Sequence, residues 1–287
     1  MTFPEGWRIP QPYHHMMLIN ERRMKSFRFA ITKQMIPGCV VLEIGAGSGV
    51  LSAIAARAGA RKVYAVERDV EMAEVARRVM TLNGLNDIVE VITANAENFS
   101  PPEQPHLVIC EMLHVGLVNE QQVPVMRAVL SRLGQTNLRT IPYAVVNALQ
   151  LVEMDYHYEG FEIPIIRSSH PHLEDQRIAA VSEPVTYWVC YMGQPETGVD
   201  ICVPLLAERD GTANGISLIS KAVLTEEFEH PDNDWYLFQL QFPLPARPVF
   251  KGQVIWVRLA YRAGCPLSEM TIEWQTGPER SKIGEAS

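Results

Sequence analysis

The feature that most constrains this chain is a regular alternation of short apolar runs with helix-like stretches between residues 39 and 135. The apolar runs predict four strands, at 40–44, 63–66, 88–92 and 107–110. The stretches after them predict helices at 50–58, after Asp69, and at 120–133. Strands and helices that alternate at this spacing predict an α/β fold with a mostly parallel sheet and helices on both faces.

The second half of the chain has a different pattern, made of extended β-branched and aromatic runs separated by Pro and Gly. These runs lie at 143–154, 185–192, 217–224, 235–242 and 254–261. They predict an antiparallel β domain, a barrel or a sandwich. The expected boundary is Thr140-Ile141-Pro142, which gives an N-terminal segment 1–38, an α/β domain 39–140 and a β domain 141–287.

Composition excludes several classes of protein. The chain has 287 residues, 47% of them hydrophobic, and no apolar run near the roughly 20 residues of a membrane span. The net charge of −8 argues against a general nucleic-acid binder. The first residues are polar and Pro-rich, so no secretory signal is expected. The five cysteines form no Cys-x-x-Cys pair, so we expect no metal site and no disulfides. This favours a reducing cytoplasm as the compartment.

A glycine-rich loop, Gly45-Ala46-Gly47-Ser48-Gly49, follows the first predicted strand and precedes a helix. Glycines at such a position allow a sharp turn and a close approach of the backbone to a ligand, although a purely structural turn has the same composition. Val50 stands where a dinucleotide-binding loop would have its third glycine, and the Gly-Lys-Ser/Thr of a P-loop is absent. The loop therefore predicts a cofactor other than NAD, FAD or a nucleoside triphosphate.

Two acidic residues follow the next two predicted strands. Glu67 ends the second strand, where a carboxylate can accept hydrogen bonds from both hydroxyls of a ribose. Glu97 follows the third strand and can accept from an adenine amino group, with Ala96 beside the ring. Either acid alone is compatible with a solvated surface position. Their shared place at the carboxyl edge of a parallel sheet favours a ligand site.

Two further glutamates, Glu111 and Glu120, flank an apolar loop after the fourth predicted strand. A carboxylate enclosed in such a loop is costly unless a cation pairs with it. A guanidinium is permanently charged and binds carboxylates through two parallel hydrogen bonds. The pair therefore predicts a site for a cation, and a guanidinium fits it.

At these residues the chain resembles the protein arginine methyltransferase family, which carries two glutamates nine positions apart in this loop. The resemblance extends to residues 13–23, which are similar to the segment that covers the family's cofactor, and to the glycine loop. It implies that His14 and Met17 line the cofactor, that Arg23 binds its carboxylate, and that Glu67 and Glu97 bind its ribose and adenine.

The resemblance implies a Rossmann-like class I methyltransferase domain followed by a β-barrel, with Pro142 at the place of a domain-joining cis proline. The cofactor would be S-adenosyl-L-methionine, converted to S-adenosyl-L-homocysteine, and Glu111 and Glu120 would hold the acceptor. The implied activity is methylation of a guanidino nitrogen of arginine in a protein or peptide. Homodimerisation through an arm, here at 160–184, is also implied.

Two family motifs are missing, and they leave alternatives open. The Tyr-Phe-x-x-Tyr segment is not recognisable, Trp7 being the only bulky candidate, and no Thr-His-Trp loop follows Thr276. A methyltransferase of a small guanidine or amine is therefore one alternative, and a cofactor-binding scaffold without catalysis is another. A nucleic-acid methyltransferase is disfavoured, because no Asn/Asp-Pro-Pro-Tyr motif follows the fourth strand.

Overall fold

Two helices precede the first sheet in the computed structural model, which describes residues 9–134, 138–170, 175–227 and 234–275. They are α1 (Gln11–Ile19) and α2 (Glu21–Gln34). The Asn20 side chain caps α2 by accepting a hydrogen bond from the Arg23 backbone N–H at 3.0 Å. Phe27 and Ile31 are fully buried on the inner face of α2 and fix the helix against the sheet.

The first sheet has five parallel strands in the order β3-β2-β1-β4-β5. Its strands are β1 (Val40–Ile44), β2 (Lys62–Glu67), β3 (Val89–Thr93), β4 (Leu107–Cys110) and β5 (Arg139–Ile141). The strand order reverses between β1 and β4, so the loops that leave these two strands lie side by side. In open α/β sheets, ligands bind at such a point.

Three helices connect these strands: α3 (Val50–Arg57), α4 (Val70–Leu82) and α5 (Gln122–Leu133). The Asp69 side chain caps α4, as the sequence predicts. Helix α5 begins at Gln122, two residues later than predicted, because Pro124 has no N–H to bond the Glu120 carbonyl and is tolerated only in the first turn. Among the described residues, no helix combines the length and apolar character needed to cross a bilayer.

The second half is antiparallel, and we call it the β region (residues 144–275). Its strands are β6 (Ala144–Met154), β7 (His157–Tyr158), β8 (Phe161–Glu162), β9 (Arg167–Ser169), β10 (Ile178–Ala180), β11 (Val185–Tyr191), β12 (Gly198–Leu206), β13 (Gly211–Val223), β14 (Asp234–Tyr236), β15 (Gln239–Val249), β16 (Val254–Arg262) and β17 (Thr271–Gln275). Within the described ranges, β10-β6-β13-β15-β9 form one sheet with β11 and β14, and β12-β16-β17 form another. A cis Ile141–Pro142 peptide lies at the junction of the two halves.

The predicted strand 235–242 is in fact two strands, β14 and β15, which both pair with β13. Tyr236 and Leu240 are four positions apart, whereas their partners Lys221 and Leu218 are three apart. The extra residue interrupts the ladder, and Phe238 in the interruption is 48% exposed. The prediction of one continuous strand was wrong for this reason.

One hydrophobic core joins the two halves. It includes Leu107 and Met126 from the first sheet and its helices, and Leu149 and Leu218 from the β region. Since these side chains are almost completely buried in the same cluster, the two halves are held in a fixed relation to each other.

We predict that Leu107→Ala lowers the free energy of unfolding by about 2–5 kcal/mol, because Leu107 is fully buried and its truncation leaves a cavity. Leu82→Ala is the matched control, since Leu82 is 74% exposed and its truncation should change stability by less than about 0.5 kcal/mol. Urea denaturation of both variants measures the difference. Equal losses would contradict the core described above.

Candidate active site

The glycine loop turns sharply after β1 and approaches two side chains closely. The N–H groups of Gly45 and Ala46 both donate to the Val66 carbonyl, at 2.9 and 3.1 Å, which ties the loop to β2. Gly45 and Gly47 have φ of +68° and +54°. A Cβ would lie 3.2 Å from the Met112 side chain at Gly45, and 3.0 Å from the His14 ring at Gly47. The positive φ values favour glycine at both positions, and a Cβ would require the Met112 or His14 side chain to shift by a few tenths of an ångström.

The Glu67 carboxylate at the end of β2 is held by two backbone donors. Its Oε2 accepts from the Gly47 N–H at 2.8 Å, and its Oε1 accepts from the Asp69 N–H at 2.8 Å. Glu67 is buried. Because a carboxylate oxygen has two acceptor sites, each oxygen can accept one further hydrogen bond from a ligand hydroxyl.

Ala96 and Glu97 lie in a short 3₁₀ turn after β3, Ala96–Asn98. The Asn95 side chain accepts from the Glu97 N–H at 3.0 Å and donates to its carboxylate at 3.2 Å. The Glu97 carbonyl accepts from the Arg132 guanidinium on α5. These contacts fix the turn beside the glycine loop.

Helix α1 supplies His14 and Met17 to the same place. Burial lowers the pKa of His14 below 6.5, and Glu67 and Glu111 oppose this shift only in part. The His14 ring is therefore mainly neutral near pH 7. Burial raises the pKa of Tyr13, and the negative charges of Glu120 and Glu111 raise it further.

Arg23 and Glu111 form an enclosed ion pair. The Arg23 Nη2 lies 2.5 Å from the Glu111 Oε2, and the two side chains are 4% and 10% exposed. The guanidinium also lies over the Phe27 ring, 5.0 Å from its centroid. The structure thus joins a residue predicted to hold the cofactor with one predicted to hold the acceptor.

The second predicted acid, Glu120, is enclosed at the other end of the loop. Burial is the main cause that raises its pKa to about 8, and the negative charge of Glu111 adds to the effect. Glu120 is therefore mostly a neutral acid at pH 7 when no cation lies beside it.

The loop between the two glutamates has an unusual backbone. Gly116, Leu117 and Asn119 all have positive φ, at 69°, 57° and 61°. Such conformations are unfavourable for residues with a side chain, so the surrounding structure must impose them. A Cβ at Gly116 would lie 2.7 Å from the Leu218 Cδ2.

The β region imposes this shape through hydrogen bonds. Ser220 on β13 accepts from the Gly116 N–H at 2.7 Å and donates to the Asn147 side chain at 2.6 Å. The turn after β16 supplies two more bonds: the Gly264 N–H donates to the Leu117 carbonyl, and the Cys265 carbonyl accepts from the Asn119 N–H.

Gln122 closes the base of the loop. Its Nε2 donates to the Cys110 carbonyl at 2.8 Å, and its Oε1 accepts from the Met112 N–H at 2.8 Å. Gln122 is 1% exposed. The side chain therefore joins the end of β4 to the start of α5 and fixes the separation of the two glutamates that lie between them.

His114 and Asn119 face each other inside the loop. The His114 Nδ1 lies 3.2 Å from the Val115 carbonyl, and its Nε2 lies 3.4 Å from the Asn119 amide nitrogen. Burial lowers the pKa of His114. Asn119 also accepts from the Leu267 N–H at 3.2 Å. His114 and Asn119 are thus neutral side chains that contact each other and the backbone of the surrounding segments.

A cavity of about 1160 Å³ opens between these elements. The predicted site residues all line it: His14, Met17, Arg23, Gly45, Ala46, Gly47, Glu67, Ala96, Glu97, Glu111 and Glu120. Residues of the β region, Ser168 and His170, line its other side. Trp7 and the segment from Thr276 onwards lie outside the described residues.

Glu43 also lines the cavity, although sequence reasoning did not single it out. It lies within β1, is 2% exposed, and accepts a hydrogen bond from the Ser52 hydroxyl on α3. Burial raises its pKa to about 7, against the effect of that hydrogen bond. The signal in the sequence was one acid inside an otherwise apolar strand.

We predict that Gly116→Ala lowers the free energy of unfolding by about 2–4 kcal/mol, because the new methyl group meets a left-handed backbone and the Leu218 side chain together. Gly84→Ala is the matched control: Gly84 has φ of +65° and open space around it, so it should lose only about 1–2 kcal/mol. Urea denaturation compares the two. Losses equal within error would show that Leu218 does not constrain the loop.

Comparison with known proteins places a methyltransferase domain at residues 41–135. Protein arginine N-methyltransferase PRMT10 of Arabidopsis thaliana is 40% identical over 111 residues, 38% of this chain and 29% of that protein. The chain thus matches less than a third of the length of that relative. The resemblance found in the sequence is confirmed over the methyltransferase region.

Two further comparisons cover nearly the whole chain. An uncharacterised protein of Methanocaldococcus jannaschii is 29% identical over 267 residues, 92% of this chain and 97% of that one. The structure of a Trypanosoma brucei PRMT1 enzyme–prozyme heterotetrameric complex with AdoHcy superimposes with a TM-score of 0.75 at 16% identity, covering 95% of this chain and 96% of that chain. The predicted fold class is thereby confirmed.

Proposed function

Because the chain carries an S-adenosylmethionine-dependent methyltransferase domain related to those of the protein arginine methyltransferases, we propose that it methylates a guanidino nitrogen of arginine in a protein or peptide. The observation that carries this proposal is the position of Glu111 and Glu120 in the same cavity as the glycine loop and Glu67. A donor site and a site for a cationic acceptor are thus continuous.

The residues at the donor end fit S-adenosylmethionine. Gly45 and Gly47 line the cavity without a side chain, so their backbone can approach a ligand closely, and the two oxygens of Glu67 retain acceptor capacity for ribose hydroxyls. Glu97, with Ala96, would hold the adenine, and Arg23 the carboxylate. Met17 and His14 would cover the cofactor from α1. The bound cofactor supplies a methyl group on a positively charged sulfur.

The acceptor end would orient the guanidinium and prepare its nitrogen. A guanidinium is a poor nucleophile because its charge is delocalised over three nitrogens. Glu111 and Glu120 can bind two of them and draw positive charge towards those two, which leaves lone-pair character on the third. Holding the nitrogen in line with the methyl group could supply much of the rate enhancement. The bond from the methyl group to sulfur would break as the N–C bond forms, and the methylated nitrogen would release one proton to solvent, so the product remains a singly charged guanidinium. The guanidinium in turn stabilises the ionised form of Glu120.

We predict that Glu111→Gln and Glu120→Gln each lower kcat by at least about 100-fold, because an amide cannot neutralise the acceptor's charge. S-Adenosylhomocysteine should still bind to both variants. Glu74→Gln on α4 is the control, since Glu74 is 75% exposed and should keep full activity. Methyl transfer from labelled cofactor and calorimetry measure the two properties. Full activity in both cavity variants would remove the clamp from the proposal.

We predict that kcat/KM for the acceptor rises with pH, with an inflection near pH 8 and a plateau above it. Burial and Glu111 raise the pKa of Glu120 to about 8, and only the ionised acid binds a guanidinium, whose own pKa lies above about 12. Below the inflection the slope should approach tenfold per pH unit. The rise of kcat/KM with pH should persist in Glu43→Gln, which removes the other cavity acid with a raised pKa. A flat profile between pH 6 and 9 would contradict this role of Glu120.

A small guanidine or amine is the alternative acceptor, because two carboxylates can bind the same planar cation whether it belongs to a peptide or to a small molecule. Incubation with labelled cofactor, an arginine-rich peptide, free arginine and a panel of guanidines, followed by mass spectrometry, separates the two. Labelled peptide supports the proposed acceptor, and label confined to small molecules supports the alternative. Binding of S-adenosylhomocysteine without any transfer would favour a non-catalytic scaffold.

We further propose a homodimer in a reducing cytoplasm. The exposed apolar side chains Phe161 and Ile165, 70% and 56% exposed between β7 and β9, support an association surface in the predicted arm. Cys39, Cys110, Cys190 and Cys265 are buried free thiols, which supports the compartment. Sedimentation analysis of the purified protein tests the dimer.

A further inference from the structure

The enclosed pair of Arg23 and Glu111 links the two ends of the cavity. The contact joins the Arg23 Nη2 to the Glu111 Oε2, and both side chains are at least nine-tenths buried. Arg23 is held on its own side by the Phe27 ring and by its position in the first turn of α2. Glu111 is held by its place directly after β4. Neither residue can move far without disturbing buried structure.

In this arrangement Arg23 and Glu111 neutralise each other's charge. The charge of Glu111 is neutralised by Arg23, so an acceptor guanidinium that approaches Glu111 also meets the positive charge of Arg23. In an enclosed site of low effective dielectric, this repulsion offsets much of the attraction that Glu111 offers. Arg23 in turn already has a carboxylate partner before a cofactor arrives.

We propose that the carboxylate of the cofactor and the guanidinium of the acceptor bind cooperatively, because Arg23 is shared between the cofactor carboxylate and Glu111. This inference rests on the proposed function. When a second carboxylate approaches Arg23, its positive charge is divided between two anions, and Glu111 regains attraction for a second cation. The guanidinium has five donors in a planar fork, so it can bridge two carboxylates without leaving Glu111.

The coupling is reciprocal. If the cofactor carboxylate increases the affinity for the acceptor by some factor, the acceptor increases the affinity for that cofactor by the same factor. Couplings of this kind usually amount to about 5–150-fold. The cavity would thereby favour the complex that holds both reactants over either complex with one.

Calorimetry with unreactive ligands tests the coupling on the wild-type protein. The acceptor probe is N-acetyl-arginine-N′-methylamide, titrated into protein alone, protein saturated with S-adenosylhomocysteine, and protein saturated with decarboxylated S-adenosylhomocysteine. The probe should bind at least about fivefold more tightly with the carboxylate-bearing ligand than in the other two states. Equal affinity with the two saturating ligands would overturn the inference.

Variants of Arg23 identify the residue that carries the coupling. In Arg23→Met the two saturating ligands should give the same probe affinity, and Arg23→Lys should restore part of the difference. Arg28→Met is the matched control, because Arg28 is exposed on the same helix and should keep the full difference. Circular dichroism establishes that each variant folds. A full difference in folded Arg23→Met would also overturn the inference.

The outcomes separate this inference from the proposed function. Methylation of a guanidine together with uncoupled probe binding overturns the inference alone. Absence of methylation and of probe binding in every state overturns the proposed function, and the inference with it. The comparison of the two cofactor products needs no catalysis, so it does not depend on turnover.

Discussion

Enclosed negative charge is the condition on which the rest of this cavity depends. Glu43, Glu67, Glu111 and Glu120 all line it, and water is not available to solvate each of them fully. Glu67 is balanced by two backbone N–H groups, and Glu111 by Arg23. Burial instead raises the pKa of Glu43 to about 7 and of Glu120 to about 8. Binding of a cation in the cavity would therefore be electrostatically favourable.

The two halves of the molecule contribute different parts of the cavity. The parallel sheet supplies the acids, because its carboxyl edge brings the ends of β1, β2 and β4 together. The β region supplies the shape of the loop between Glu111 and Glu120, through Ser220 and the turn that contains Gly264. An alteration at Ser220 can therefore change the loop that holds Glu111 and Glu120 from the β region.

Much of the fold could be predicted because its signals are local. The strands from β1 to β4 are short, mostly apolar runs, and the Asp69 cap and the glycine loop are visible as residue types at fixed positions. Strand β5 has only three residues, too few for a pattern. Strand β12 contains Pro204, which disfavours a strand in sequence but is tolerated here because β12 lies at the edge of its sheet.

The predicted members of the candidate site share a position after a strand of the parallel sheet or in the segment before it. The contacts that sequence reasoning missed are of another kind. Ser220 and Gly116 are 104 positions apart, and the Arg23–Glu111 pair spans 88 positions. The spacing of residues in the sequence cannot predict contacts between residues so far apart. Their pairing depends on how the β region and α2 pack against the sheet.

Helix α1 forms one wall of the cavity, yet none of its residues is fully buried. Its Met16 and Ile19 side chains are 57% and 61% exposed, so little apolar area holds the helix in place. One contact beneath the helix is that of the His14 ring, which lies next to Gly47 of the glycine loop. A bound nucleoside would therefore pack against α1, and part of the free energy that holds this helix against the cavity would come from the ligand.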